Sequence, residues 1–386
     1  MIARAFLLYV ALIMLPDLSI YQHSISKCSW RWKMAWWMQT FAMMAYTCWL
    51  ALEPDFTPHQ QTSLNIYLFI MGVYVIPKVL IALCGAIGSL ARMMVHSRRN
   101  WGIPLGGVLA ALSVYVTIYG STIGFNKFEV KRVEFTSSRL PKDFDGYRIV
   151  LFSDAHVGSF TGNSRKVLVD AVDSMLALKP DAIFFLGDIQ NTRPEEMEEH
   201  VPTLSRLKAS DGVYSVMGNH DYSKYIGGTM EEKLAEEEKT KKYQRDMGWK
   251  LLLNEHVSIH HGNDSIVVAG LKGNEQWGVE RDVANYGNAI AGIAPGAFTI
   301  MLAHNPKHWR TSIVPYVDAP LTISGHTHGG QIRLFGLSTT TFGFTEDYGM
   351  YELEGKKLYV TAGLGALIPL RFNVTGEVVL LTLHKE

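Results

Sequence analysis

The stretch Leu321-Thr-Ile-Ser-Gly-His-Thr-His-Gly-Gly-Gln-Ile332 decides how the rest of the chain is read. Its first four residues, apolar and β-branched, predict a short buried strand. Gly325 then breaks the strand, and His326 and His328 follow with one residue between them. In an extended segment or loop, alternate side chains point the same way, so a His-x-His pair presents two imidazoles to one place. Gly325, Gly329 and Gly330 allow a sharp turn and a close approach of backbone to a bound group. Imidazoles gathered in this manner suit divalent transition ions.

Working outward, four more apolar strands end in ligand-type residues. Ile149–Ser153 runs into Asp154-Ala155-His156, and Ile183–Leu186 into Gly187-Asp188. Val213–Met217 runs into Gly218-Asn219-His220-Asp221, and Ile300–Ala303 into His304-Asn305-Pro306. In open α/β sheets, ligands gather beyond the carboxyl ends of strands. Taken singly, an Asp-x-His is usually a surface pair and a Gly-Asp a plain turn. Five such endings after five apolar strands converge on one site instead. Carboxylate, amide and imidazole together suit Zn, Fe or Mn. Two such ions roughly 3.5–4 Å apart need a bridging carboxylate and ligands on both sides.

The order Asp-x-His, Gly-Asp, Gly-Asn-His-Asp, His, Gly-His-x-His resembles the calcineurin-like metallophosphoesterase superfamily over about residues 147–383. The Gly-His-Thr-His-Gly-Gly-Gln-Ile form is similar to its membrane-associated bacterial branch. The resemblance implies an α/β fold, a four-layer α/β/β/α sandwich. It implies two divalent ions (Mn, Fe or Zn), the first held by Asp154, His156, Asp188 and His328. The second would be held by Asp188, Asn219, His304 and His326, with Asp188 bridging. His220 would face the substrate phosphate and assist the leaving group, and Asp221 would orient His220. The implied reaction is hydrolysis of a phosphate mono- or diester, lipid- or envelope-linked esters included, by a hydroxide shared between the ions. Two departures are visible: Ala155 stands where a larger apolar residue is common, and Ile189-Gln190-Asn191-Thr192 is polar where a further acidic residue often appears. Arg333 is a candidate phosphate contact and Trp277 a candidate pocket wall. His260, His261 and His308 read as surface or supporting residues, and Met230–Met247 as a solvated helix or lid.

Other strands are expected at Val130–Phe135, Leu251–Asn254, Ser265–Leu271, Leu358–Thr361 and Glu377–Leu383, and helices at Ser164–Leu178 and Glu195–Leu207. Alternating strands and helices early, then strands in closer succession, point to α/β layers around two packed sheets.

The first third has another texture. Residues 1–124 hold 8 Lys/Arg and 3 Asp/Glu, whereas residues 125–386 hold 28 and 33. Such a shift marks two solvents, lipid and then water, and divides the chain into a transmembrane region, 1–124, and a phosphoesterase domain, 125–386. All three cysteines lie in the first part, which excludes disulfides and thiolate metal sites from the second. The zero formal net charge offers no argument for a nucleic-acid partner. Nothing in the sequence fixes an oligomeric state.

Four apolar runs, Ala3–Ser19, Met34–Leu52, Leu64–Met93 and Ile103–Ile123, predict about four spans. A span needs about 20 mostly apolar residues, and by that measure the first run is the weakest. Pro77 should kink the third. Lys27, Arg31 and Lys33 follow the first run and Arg92, Arg98 and Arg99 the third, while the loop between the second and third runs holds Glu53 and Asp55. The positive-inside bias then puts both termini, and the polar domain, outside the cytoplasm. The expectation is an integral protein of a bacterial inner membrane with its domain extracytoplasmic. Asp17 and Lys78 are the intramembrane charges, too few to suggest transport. A nucleotide-lipid pyrophosphatase of the same fold and a non-catalytic sensor that keeps the metal site are the alternatives.

Overall fold

The protein is described from a computed structural model that covers residues 2–53, 58–96, 98–273 and 283–386. It divides into two units, Met1–Ile123 and Gly124–Glu386.

The first unit is helical: α1 (Phe6–His23), α2 (Trp30–Leu52), α3 (Pro58–Ile70), α4 (Ile76–Met94) and α5 (Gly102–Tyr119). Among the described residues, three stretches are long and apolar enough to cross a membrane: Phe6–His23, Gln61–Met94 and Gly102–Gly124. The first run, expected to be the weakest, therefore qualifies. The second, although α2 has 23 residues, does not, because Gln39, Thr40, Tyr46 and Thr47 dilute its apolar content. Several of its polar groups turn inward. Thr40 Oγ1 donates to Asp17 Oδ2 at 2.6 Å, Trp36 Nε1 to the Asp17 carbonyl at 3.2 Å, and the Thr47 and Tyr67 hydroxyls meet at 2.8 Å. The expected break near Pro77 is a π turn, Met71–Val75, between α3 and α4. Proline lacks an N–H and crowds the carbonyl four residues back, so the backbone widens just upstream of it. A Cβ on Gly102 would lie 1.9 Å from the Cys84 carbonyl oxygen, so α4 and α5 approach this closely only with a glycine there.

The second unit holds two six-stranded sheets and a hairpin. Its strands are β1 (Phe128–Ser137), β2 (Arg148–Phe152), β3 (Ala182–Phe185), β4 (Val213–Ser215), β5 (Lys250–Leu251), β6 (Glu255–His261) and β7 (Asp264–Gly270). There follow β8 (Thr299–Leu302), β9 (Leu321–Ser324), β10 (Arg333–Leu334), β11 (Leu337–Ser338), β12 (Gly349–Leu353), β13 (Lys356–Val360) and β14 (Gly376–Lys385). The first sheet has the order β1-β14-β2-β3-β4-β5, the second β12-β13-β9-β8-β7-β6, and β10 pairs with β11. β2, β3, β4 and β5 run parallel, as do β7, β8, β9 and β13, so the ligand-bearing strand ends lie together in each sheet.

Period-two alternation sorts the side chains into layers. Ile149, Leu151 and Phe184 of the first sheet meet Ile300, Leu302 and Ile323 of the second in a shared core. The next residues along those strands, Val150, Phe152 and Ile183, face outward onto Leu168, Val172 and Met175 of helix α6 (Arg165–Ala177). On the far side of the second sheet, Met301, Leu358 and Val360 pack with Trp309, Ile313 and Tyr286. Helix, sheet, sheet and helix make the expected four layers. Ile323 is fully buried between the sheets. Trimming it to Val should lower stability by about 1 kcal/mol, read as a lower denaturation midpoint at an unchanged slope.

The expected strands form, with four additions: β6, β12 and the two strands of the β10–β11 hairpin. The segment Glu195–Leu207 is not one helix but a 3-10 turn, Pro194–Met197, and a short helix, α7 (Val201–Leu204). The charged segment forms α8 (Met230–Asp246), whose Thr229 cap closes a capping box with Glu232. α8 is not wholly solvated: Thr240 is buried and donates to Gln190 Oε1 at 2.8 Å. Trp277 lies outside the described residues.

Candidate metal centre

Five strand ends deliver the candidate ligands, and the backbone there departs from ordinary loop conformations. Asp154, His156, Asp188, His326 and His328 all have positive φ, between 43° and 73°. Non-glycine residues seldom adopt this region, and the cost of about 1–3 kcal/mol each is tolerated chiefly where function fixes the side-chain direction. Close backbone packing adds to the constraint. A Cβ on Gly218 would fall 2.2 Å from Asp188 Oδ1, so the Asn219-His220 turn can seat against Asp188 only from a glycine.

Among the described residues, the donor atoms cluster in three overlapping groups, each within 4.8 Å: Asp154, His156 and His328; His156, Asp188 and His220; Asp188, His304 and His326. Asp188 belongs to two of them, the place expected of a bridge. Its Oδ2 lies 3.1 Å from His304 Nε2 and 3.8 Å from His156 Nε2, while Oδ1 accepts from the His220 amide at 2.8 Å. His328 Nε2 stands 3.5 Å from Asp154 Oδ1, and the His326 amide donates to the same carboxylate at 3.0 Å.

The far sides of the imidazoles are anchored. His304 Nδ1 meets the Leu186 carbonyl at 2.8 Å and His328 Nδ1 the Gly365 carbonyl at 3.2 Å. A carbonyl only accepts, so each Nδ1 carries a proton and each Nε2 is the atom turned to the centre. His156 Nδ1 is held by Asn191 Oδ1 at 3.1 Å. Two buried ligand-type atoms, His156 Nε2 and Asn219 Oδ1, have no hydrogen-bond partner in the protein. Orphaned polar atoms of this kind are expensive unless something binds them, and a cation is what an imidazole lone pair and an amide oxygen both accept. Asn219 is turned by its own amide nitrogen, which donates to Tyr225 Oη at 2.8 Å. The seven residues therefore fit divalent cations.

Charge follows geometry. Burial holds His156 well below the ordinary histidine value and also lowers His328. Burial opposes protonation of His304 too, but Asp188 beside it wins and raises its pKa to about 10. Asp188 is held well below the usual carboxylate range, because its burial is outweighed by His304 and His220.

His220 stands beside the ligands, its ring 4.8 Å from that of His156 and 4.6 Å from that of Tyr225. The expected pairing of Asp221 with His220 takes another form. His220 Nδ1 is held by the Asn191 carbonyl at 2.5 Å. Both Asp221 oxygens are taken by backbone amides: Asp188 and Gly218 at 2.8 and 2.9 Å, Ile189 at 2.8 Å. Asp221 thus ties the Gly187-Asp188 and Gly218-Asn219 loops together, and a carboxylate does so because three converging N–H groups favour a negative acceptor. Arg333 also departs from expectation: its Nη2 donates to Asp347 Oδ2 at 2.6 Å. His261 packs on Phe144 and Tyr147, and His308 lies near Tyr286.

Sequence reading missed Asn191, Tyr225 and Arg371. Asn191 was legible only as an odd polar stretch after Asp188. Its backbone amide is pinned to Glu196 Oε2 at 2.6 Å, which fixes its side chain under His156 and its carbonyl under His220. Arg371, fully buried, gives Nη2 to the carbonyls of Ala362, Gly363 and Gly365, the last being the carbonyl that anchors His328. Replacing Asn191 by Ala should weaken metal affinity about 10–100-fold, measured by titration of the metal-stripped protein.

Comparison with known proteins agrees with this geometry. A family model described as calcineurin-like phosphoesterase matches residues 147–330, and one described as probable calcineurin-like phosphoesterase, transmembrane domain, matches residues 3–125. An uncharacterized metallophosphoesterase of Bacillus subtilis is 32% identical over 312 residues, 75% of this chain and 99% of its own. The chain belongs to the calcineurin-like metallophosphoesterase family. A transmembrane protein with metallophosphoesterase domain from Danio rerio is 28% identical over 351 residues, 86% of this chain and 76% of its own. The solved structure of a dimetal phosphatase from Danio rerio aligns with 58% of this chain and 89% of that one at 14% identity, with a TM-score of 0.32. Metallophosphoesterases act on phosphate esters with divalent metal, and the membrane region of this member is matched by a family model of its own.

Proposed function

We propose that this metallophosphoesterase is a membrane-anchored enzyme that hydrolyses a phosphate ester at a two-ion centre. The observation that carries this reading is the complete donor set, with His156 Nε2 and Asn219 Oδ1 buried and unpartnered inside it. Asp154, His156, Asp188 and His328 would hold one ion, and Asp188, Asn219, His304 and His326 the other. Bound divalent ions of this kind activate water near neutral pH and neutralise charge on the phosphoryl oxygens.

The protein's own residues supply the rest. His220 is oriented by the Asn191 carbonyl, so its Nε2 is the atom presented to substrate. A protonated Nε2 can donate to the departing oxygen. Asp221 acts through backbone, keeping the two ligand loops in register, and is a positioning residue in this scheme.

Membrane topology follows from treating α2 as a fourth span. Its 23 residues reach about 35 Å, and its inward polar groups are hydrogen-bonded rather than exposed to lipid. We read four spans with the basic loops inside, which supports a domain outside the cytoplasm at a bacterial inner membrane. The substrate is then an ester met at the outer face, lipid- or envelope-linked.

The full chain, purified in detergent and loaded with Mn²⁺, should hydrolyse a chromogenic phosphomonoester or phosphodiester. Turnover no faster than that of His326→Ala on both esters would refute the enzymatic reading. A C-terminal reporter active only in the cytoplasm would refute the topology.

A further inference from the structure

Beyond the metal centre, the second unit exposes an apolar cluster. The β10–β11 hairpin begins five residues after His328. Phe335 at its tip is 103% exposed, Phe342 just beyond it 86% and Leu337 55%. Domains bathed only in water seldom present such a cluster.

The cluster is held out rather than left loose. Asp347 accepts from Arg333 Nη2 at 2.6 Å, Ser338 Oγ at 3.1 Å and Thr341 Oγ1 at 3.3 Å, stapling both ends of the hairpin to the loop that follows. That loop also reaches the metal centre: the Phe344 ring lies 5.5 Å from the His326 ring. Lys307 is exposed and sits 4.6 Å over the Phe344 ring, placing a cation beside the apolar group.

Strand direction says where on the domain this lies. β1 runs parallel to β14, and β14 antiparallel to β2. Phe128, the first residue of β1, is therefore at the sheet end where β2 leads to Asp154. Phe125 stacks on Phe160 at 5.5 Å, four residues past His156, and Lys131 of β1 donates to Tyr348 Oη at 3.0 Å, immediately after the hairpin loop. Only Phe125, Asn126 and Lys127 separate the apolar stretch Gly102–Gly124 from β1. β1, which follows the apolar stretch by three residues, thus enters its sheet at the end that carries the candidate ligands and the hairpin loop.

We propose that the hairpin and Phe342 dock in the bilayer interface, with Phe335, Leu337 and Phe342 entering the headgroup–acyl boundary and Lys307 at headgroup level. Aromatic and leucine side chains beside a lysine are the composition that this boundary favours. The proposal rests on the membrane-spanning reading of the first unit and not on hydrolysis, so the two readings fail separately.

The test uses the full chain with Cys28, Cys48 and Cys84 replaced by Ala. Phe335→Cys, Phe342→Cys and a control, Lys208→Cys, are each labelled with an environment-sensitive fluorophore. The proteins are placed in nanodiscs of phosphatidylcholine and phosphatidylglycerol, and circular dichroism of the same preparations reports folding. Nitroxide-bearing lipids should quench positions 335 and 342 about threefold more than position 208, as for side chains about 5–10 Å inside the boundary. Quenching by aqueous iodide equal to that at position 208, with no excess from the lipids, would overturn the proposal. Protection from both quenchers that grows with the number of chains per disc would also overturn it, by showing that a second copy covers the hairpin.

Discussion

Asp188→Asn should lower phosphoesterase kcat/KM by at least about 1000-fold, roughly 4 kcal/mol of transition-state stabilisation. The substitution is nearly isosteric, and the amide oxygen can still accept from the His220 N–H as Asp188 Oδ1 does. What disappears is the negative charge, together with the second oxygen that lies 3.1 Å from His304 Nε2. Asparagine cannot bridge two cations, so metal content should fall alongside activity. Its fold should persist, because the strand before it is anchored by Phe184 and Leu186 in the inter-sheet core. Metal analysis, near-ultraviolet circular dichroism and ester hydrolysis on one preparation check this together. A variant that keeps its metal and more than about a tenth of its activity would remove Asp188 from the bridging position.

The candidate ligand set was legible in the sequence because of its regularity. Each candidate follows an apolar strand, and parallel strands bring their carboxyl ends to one edge. Layers around two packed sheets were legible from the alternation of strands and helices, and the four-layer order from the family resemblance; β2 and β3 are apolar on both faces, so their period alone assigns no face. The supporting residues were not legible. Asn191 reaches His220 through a backbone carbonyl and Arg371 reaches His328 through the carbonyl of Gly365, and backbone contacts leave no pattern in side-chain identity. The resemblance implied that Asp221 orients His220, but the turn points the Asp221 carboxylate back at three amides, a backbone role that residue type alone does not reveal. In the membrane unit, α2 looked the better span and α1 the weaker because run length was weighed above composition. The Asp17 that interrupted the first run is itself buried, and α1 continues through it.

That aspartate sets the second large effect. Lys78→Met should destabilise the helical unit by about 3–5 kcal/mol, and Asp17→Leu by a similar amount, since each leaves one buried charge without its partner. Lys78 Nζ donates to Asp17 Oδ1 at 2.5 Å, with Asp17 wholly buried and Lys78 8% exposed. Lys78 also lies 3.9 Å over the Tyr74 ring and 5.4 Å from that of Trp36. Asp17 belongs to α1, Lys78 to α4, and Thr40, which donates to Asp17 Oδ2, to α2. A single carboxylate therefore ties three helices together in a setting where unpaired charge is expensive. The double variant, Asp17→Leu with Lys78→Met, should recover most of the loss. Thr40 Oγ1 retains the Trp36 carbonyl as an acceptor at 3.2 Å, and apolar replacements of similar volume often match a buried pair. Equilibrium unfolding in mixed detergent micelles reads all three variants. Single variants within about 1 kcal/mol of the parent, or a double variant as unstable as the sum of the two, would show that the pair does not couple these helices. A double variant that regains stability and still hydrolyses ester would make the pair a structural tie between helices and not a requirement of the reaction.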